Sequence, residues 1–373
     1  MKLRVALAGL LALSSISLCA TSAVATQPAS SALSTALQTV SAWSTNQLAN
    51  EVVSVSVSAS NIGSMAPAAK SGYGGLLLFG ATGSPTTAKI LATLQSDSST
   101  GMLIMTDEEG GGVMRLSNLV SPIPWAQTMG KTLSVSQVQA VGAKVGKQLL
   151  SLGVNTDLAP VLDVDGRAVQ PGPSNPDGLR SFGGSASLVA KDGSAFMQGL
   201  QEAGMVAVVK HFPGLGHATA NTDFGPAQTL PWNTLQQGGL LPFEAAISQG
   251  ATAVMMSNAT VPGFSTLPAS ISPTLIAYLR NQLGFTGLIM TDSLSAGALS
   301  ALRLNEVQAS IAAITAGADL VLYGSPASAQ ASLQLAQKIS AGLVNAVATG
   351  ALPLNVLQNA AAHVLMVTSG LKK

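Results

Sequence analysis

Cysteine is all but missing from this chain: Cys19 is the only one, so no disulfide staples the fold and the core must carry stability alone. Charged residues make up only 9%, with a net charge of +1 and no basic cluster, which removes the electrostatic footprint expected for nucleic-acid binding. No apolar run after the N-terminus approaches the roughly 20 residues a membrane helix needs, so an integral span is not expected. Histidine occurs three times, at His211, His217 and His363, in none of the spacings of a metal centre. His363 falls in a terminal Ala/Val/Leu stretch and reads as structural. No Gly-x-Gly-x-x-Gly follows a first strand, no Walker lysine follows Gly110-Gly111-Gly112, and no Gly-x-Ser-x-Gly elbow is present. Dinucleotide, phosphate-loop and Ser-His-Asp chemistry therefore lack their signatures, and no cofactor is expected.

What is present begins with a secretory pattern. Lys2 and Arg4 precede an apolar run from Val5 to Leu18, and Ala23-Val24-Ala25 offers a small-x-small cleavage site, so residues 1–25 read as a signal peptide. Its removal takes Lys+Arg from 17 to 15 against 16 acids, a mature charge of about 15 − 16 = −1. Acylation at Cys19 is the weaker alternative, because Leu18 stands where lipoprotein signals carry a small residue. Residues 26–45, rich in Ser, Thr and Ala, read as a flexible lead-in, and residues 46–373 as one domain.

Within that domain short apolar runs alternate with longer helical stretches. Eight candidate strands are Val52–Val57, Gly75–Phe79, Leu103–Thr106, Thr156–Leu162, Val206–Val209, Ala253–Met256, Leu288–Met290 and Leu320–Leu322. Candidate helices include Val135–Leu152, Ala190–Ala203, Leu235–Gln249 and Asn305–Ala316, with Ala327–Val347 and Leu354–Ser369 closing the chain. This is the pattern of an α/β fold, a single (β/α)8 barrel. Catalytic residues in such barrels stand at the C-terminal strand ends. Those positions hold Asp107, Glu108, Asp163, Lys210, His211, Asn258, Asp292 and Tyr323. Strand ends are where polar residues begin in any protein, but in so weakly charged a chain this many at corresponding points suggest a site.

Scarce carboxylates at one barrel mouth suit acid/base or nucleophilic chemistry on a neutral, hydroxyl-rich substrate. Glycoside cleavage needs two such groups, about 5 Å apart in retaining enzymes. Asp292 ends an apolar strand and is the candidate nucleophile; a helix N-cap would explain it equally well.

Lys210-His211-Phe212-Pro213-Gly214 followed by Gly216 resembles the hallmark of glycoside hydrolase family 3, in its β-N-acetylhexosaminidase branch. The blocks Gly74–Phe79, Thr106–Gly111, Leu158–Val164, Arg180–Gly183 and Gly287–Leu294 agree in order and spacing. The resemblance implies a retaining mechanism through a covalent glycosyl-enzyme with Asp292 as nucleophile, and it carries sugar-binding roles onto Asp107, Arg180, Lys210 and His211. Three positions depart from the branch. Asn221-Thr222-Asp223 stands where the branch has Asp-Ser-His, Leu215 replaces a histidine with His217 two places on, and Asn258 replaces another histidine in the sugar-binding set.

Asp223 occupies the position of the family's acid/base histidine, and a carboxylic acid can protonate a glycosidic oxygen when an apolar, closed site raises its pKa. His217 is the runner-up. A carboxylate there would repel phosphate, which favours hydrolysis over phosphorolysis. The expectation is a secreted monomer cleaving terminal β-N-acetylglucosaminides of cell-wall or chitin-type fragments, a carbohydrate its only partner. A β-glucosidase of the same family and a non-catalytic envelope glycan-binding protein are the alternatives. The low charge further suggests work in an acidic medium.

Overall fold

A computed structural model of the chain describes residues 31–80, 82–324 and 326–371. The signal peptide and Cys19 lie outside the described residues. Eight parallel strands form one sheet in chain order: Ser54–Ser58, Gly75–Phe79, Leu103–Thr106, Thr156–Asp157, Val206–Phe212, Ala253–Met256, Leu288–Ser293 and Leu320–Leu322. A parallel bridge between Val53 and Val321 brings the last strand to the first, so the sheet closes as a (β/α)8 barrel.

Two apolar layers follow from the two-residue period of a strand. Val206 and Val208, Leu103 and Met105, Leu288 and Met290, and Ala253 and Met255 pack with Leu77, Leu158, Leu320 and Leu322 inside the barrel. Their alternates, among them Ile104, Ala207, Val209, Val254, Ile289 and Val321, face the helical ring.

Several elements differ from the sequence expectation, each for a local reason. The fourth strand stops at Asp157 and resumes only as a bridge from Val161 to Lys210; Pro160 supplies no N–H to a continuous ladder. The fifth and seventh strands run on to Phe212 and Ser293, carrying their polar ends into the sheet. Leu235–Gln249 divides into a π-helical turn, Leu235–Gly239, and a helix, Leu241–Ser248, at Gly238-Gly239 and Pro242. The expected flexible lead-in is helical from Ser31 to Val40, because Ala36 and Val40 are buried where this helix packs on Leu354–Thr368. No helix among the described residues is long and apolar enough to cross a membrane.

Candidate functional site

The strand period that fills the barrel also selects what lines its mouth. Continuing the inward series by two residues gives Asp107 after Met105, Lys210 after Val208 and Asp292 after Met290. All three line a cavity of about 360 Å³ at the C-terminal strand ends. His211 joins them where the fifth strand's pairing shifts register between Val209 and Phe212. Glu108 and Tyr323 have the outward parity and turn into the wall. Glu108 accepts a short bond from the Leu116 N–H, and the Tyr323 hydroxyl donates to the Ser332 carbonyl at 3.0 Å.

At the cavity floor the charges neutralise one another. Lys210 Nζ sits 2.6 Å from both Asp107 Oδ1 and Glu109 Oε1, and Arg180 grips Glu109 at two points, 2.7 and 2.8 Å. Burial pulls the Lys210 ammonium down, but Asp107 and Glu109 overcome it and hold its pKa above the ordinary value. Burial likewise pushes Glu109 up, and Arg180 with Lys210 reverses this and holds it well below the usual carboxylate range. The floor therefore presents fixed donors and acceptors suited to neutral hydroxyls.

His211 is set by a second cluster. Its Nδ1 lies 2.7 Å from Asp163 Oδ2, while Asp163 Oδ1 accepts from the Leu215 N–H at 2.6 Å. Burial, helped by the Arg180 guanidinium, lowers the imidazole to about 4, so the ring is neutral and donates from Nδ1. Its Nε2 is left as an acceptor toward Arg180 Nη2 at 3.5 Å. Asp177 is fully buried beside Asp163, and neither of its oxygens meets a donor. Burial and then the Asp163 charge push its pKa well up. Asp163, Asp177 and His211 offer ligand atoms within 4.8 Å of one another, a possible metal set by spacing. The fit is poor, because the oxygens of Asp163 are already committed and Arg180 places a cation alongside.

Asp292 stands half-buried two strands along the barrel from His211, its Oδ1 accepting the Ser293 N–H at 2.7 Å. Burial raises its pKa and the Asp223 charge adds to the rise, so the two aspartates interact across the cavity. Asp223 itself lies exposed on the rim rather than in the closed, apolar site expected for it, on a loop held mainly through its main chain, with Asn221 Oδ1 accepting the Asp223 N–H at 3.0 Å. The Asn221 N–H donates to the Pro173 carbonyl at 2.8 Å, and the Gly297 and Ala298 N–H groups donate to the carbonyls of Asp223 and Thr222 at 3.0 Å each. The preceding turn requires Gly216, because a Cβ there would stand 2.1 Å from the Val164 carbonyl oxygen.

Of the residues expected in the site, Asp107, Arg180, Lys210, His211, Asp223 and Asp292 line the cavity, and His217 and Asn258 do not. His217 is exposed with φ +58°, on the far side of the Leu215–Gly216 turn. Asn258 has the outward parity of Val254 and Met256. It is buried, donates Nδ2–H to the Ser293 carbonyl at 2.7 Å and accepts from Ser270 Oγ at 2.6 Å, so it braces the loop behind Asp292. Glu109 and Asp177 had no expected role. Glu109 was legible as the acid beside Asp107, whereas Asp177 in Asn175-Pro176-Asp177-Gly178 carries only a turn signal.

A parallel barrel with this mouth matches the model of the glycosyl hydrolase family 3 N terminal domain over residues 49–367, and the chain belongs to that family. Over 253 residues it is 33% identical to the beta-hexosaminidase LpqI of Mycobacterium tuberculosis, a match covering 65% of this chain and 63% of that relative. The chain thus spans less than two thirds of that protein's length. A beta-hexosaminidase of Xanthomonas oryzae pv. oryzae is 32% identical over 279 residues, 71% of this chain and 80% of its own. The solved structure of a beta-N-acetylhexosaminidase from Beutenbergia cavernae aligns with a TM-score of 0.78 at 30% identity, covering 87% of this chain and 98% of that one.

Proposed function

We propose that this chain is an exported, retaining glycoside hydrolase that removes terminal β-N-acetylglucosaminyl units. The observation that carries this reading is a pair of aspartates, Asp292 and Asp223, on one cavity whose floor is a neutralised set of hydrogen-bonding groups. Asp292 attacks the anomeric carbon while Asp223 gives its proton to the glycosidic oxygen, which departs as an alcohol. Asp223 then takes a proton from water, the water oxygen bonds to the anomeric carbon, and Asp292 is released. Asp107, Arg180, Lys210 and His211 hold the sugar hydroxyls, and the neutral His211 keeps the nucleophile from being paired with a permanent cation. The names of the relatives support an N-acetylated sugar, and the signal-like first 25 residues support export. The carboxylate on the rim favours water over phosphate as acceptor.

Hydrolysis of a chromogenic N-acetyl-β-glucosaminide by wild type, Asp292→Ala and Asp223→Ala tests this. Loss of the nucleophile should cost at least about 10⁴-fold in kcat, and loss of the acid/base roughly 10²–10⁴-fold. Binding without turnover by wild type would make the protein a glycan-binding module instead. Full activity in Asp223→Ala would remove it from the acid/base role.

A further inference from the structure

Phe224 is the most exposed large apolar side chain among the described residues, at 68%; the next, Val169 and Leu302, reach 46%. None of the other exposed apolar side chains lines the catalytic cavity, and Phe224 does. Its ring is not on a loose end. The Phe224 N–H donates to the Asn221 carbonyl at 3.1 Å, and the loop is tied on either side of the mouth to Pro173 and Gly297. The packing behind it is so close that a Cβ on Gly297 would lie 2.7 Å from the Phe224 carbonyl carbon and 2.8 Å from the Gly225 nitrogen. An aromatic face is thus held at the rim, at a cost in exposed apolar surface, one residue from Asp223.

Chemistry fixes what lies against it. A group protonated by Asp223 must bring its oxygen within roughly 2.6–3.2 Å of that carboxyl. Residue 224 is the next along the chain, so its ring is placed to meet a group attached to that oxygen. Asp107, Glu109, Lys210 and Arg180 pair with one another at the floor and Arg115 pairs with Asp107, while Phe224, Pro171, Gly172 and Pro176, which also line the cavity, carry no charge. We propose that Phe224 and the Pro171–Pro176 loop form the leaving-group subsite, and that it takes a neutral pyranose ring, so that the substrate is an oligosaccharide rather than a simple glycoside. This rests on the assignment of Asp223 as the acid/base. Covering the ring with the C–H face of a sugar removes apolar surface of both from water, an effect that for a phenylalanine corresponds to roughly 10–100-fold in affinity.

The test compares diacetylchitobiose with methyl N-acetyl-β-glucosaminide as substrates. In Phe224→Ala the ratio of kcat/KM for the disaccharide over the methyl glycoside should fall about 10–100-fold, and Phe224→Trp should restore it. The methyl glycoside reports on folding and on the catalytic groups. An unchanged ratio, or equal losses on both substrates, overturns the proposal. Calorimetric titration in an Asp292→Ala background separates this from failure of the hydrolase reading. There Phe224→Ala should weaken diacetylchitobiose and spare N-acetylglucosamine, whether or not the wild type turns over. Equal weakening of both sugars rejects the subsite.

Discussion

On the floor of the mouth, Lys210 lies 2.6 Å from each of two carboxylates and Arg180 closes a two-point bridge onto one of them, all through side chains. On the rim, Asp223 and Phe224 stand exposed on a loop whose place is set by main-chain bonds to Pro173, Gly297 and Ala298. The floor depends on the identity of every partner, because an unpaired buried charge is expensive. The rim depends chiefly on backbone geometry and on glycine at position 297, with one side-chain bond, from the Asp223 N–H to Asn221 Oδ1 at 3.0 Å. The contrast fits one of the chain's three departures from the resembled pattern, Asn221-Thr222-Asp223 on the rim; the other two, Leu215 and Asn258, are buried.

The contrast breaks most visibly at Lys210. Lys210→Met leaves Asp107 and Glu109 side by side with one cation fewer, and should cost about 3–5 kcal/mol with sugar binding lost. Asn221→Ala on the rim keeps the main-chain bonds, loses only the acceptor of the Asp223 N–H and should cost about 1 kcal/mol. Urea unfolding of the two variants gives the comparison directly; similar losses would mean that floor and rim are not built differently.

A smaller effect is expected in pH. Burial pushes Glu108 up to about 8, with Asp157 adding to it, and pushes Asp157 up to about 7. Glu51, at the other end of the barrel, is raised by burial to about 8 despite a bond from the Thr100 hydroxyl. Each carboxyl keeps its proton to higher pH folded than unfolded, so the stability it allows is full below its unfolded pKa and is lost as pH rises through the folded one. His211, lowered by burial to about 4, acts oppositely between its ordinary value of 6.5 and 4, but it is one group against these three and against Asp177 and Asp292, which burial also raises. Thermal melts should show Tm at pH 5 at least about 5 °C above that at pH 8, with part of the difference removed by Glu51→Gln. A higher Tm at pH 8 would refute this and remove support for work in an acidic medium.

The smallest effect is expected at His217. It is exposed and outside the cavity, so His217→Ala should keep chromogenic turnover within about twofold and stability within about 0.5 kcal/mol. A hundredfold loss would return it to contention as the acid/base.

Much of the site was legible in the order of residues alone. The inward series Met105-x-Asp107, Val208-x-Lys210 and Met290-x-Asp292 needs only the alternation of a strand and the rule that a barrel works at its C-terminal end. The same alternation, applied to Val254-x-Met256-x-Asn258 and Val321-x-Tyr323, would have turned Asn258 and Tyr323 into the wall. It misleads at the fourth strand, where Pro160 ends the ladder, and at Ser31–Val40, whose composition says nothing of the C-terminal helix it packs on.

Sequence by itself determined the closed eight-stranded barrel, the family and the inner carboxylates, because each rests on a period or motif a few residues long. Only the tertiary structure decided that Asp177 is buried beside Asp163, that Glu109 rather than Asn258 belongs to the floor, and that His217 lies outside the cavity while Phe224 lines it. Those outcomes depend on contacts between loops tens of residues apart, such as Gly216 against Val164 and Gly297 against Phe224, and no local pattern encodes which loops will meet.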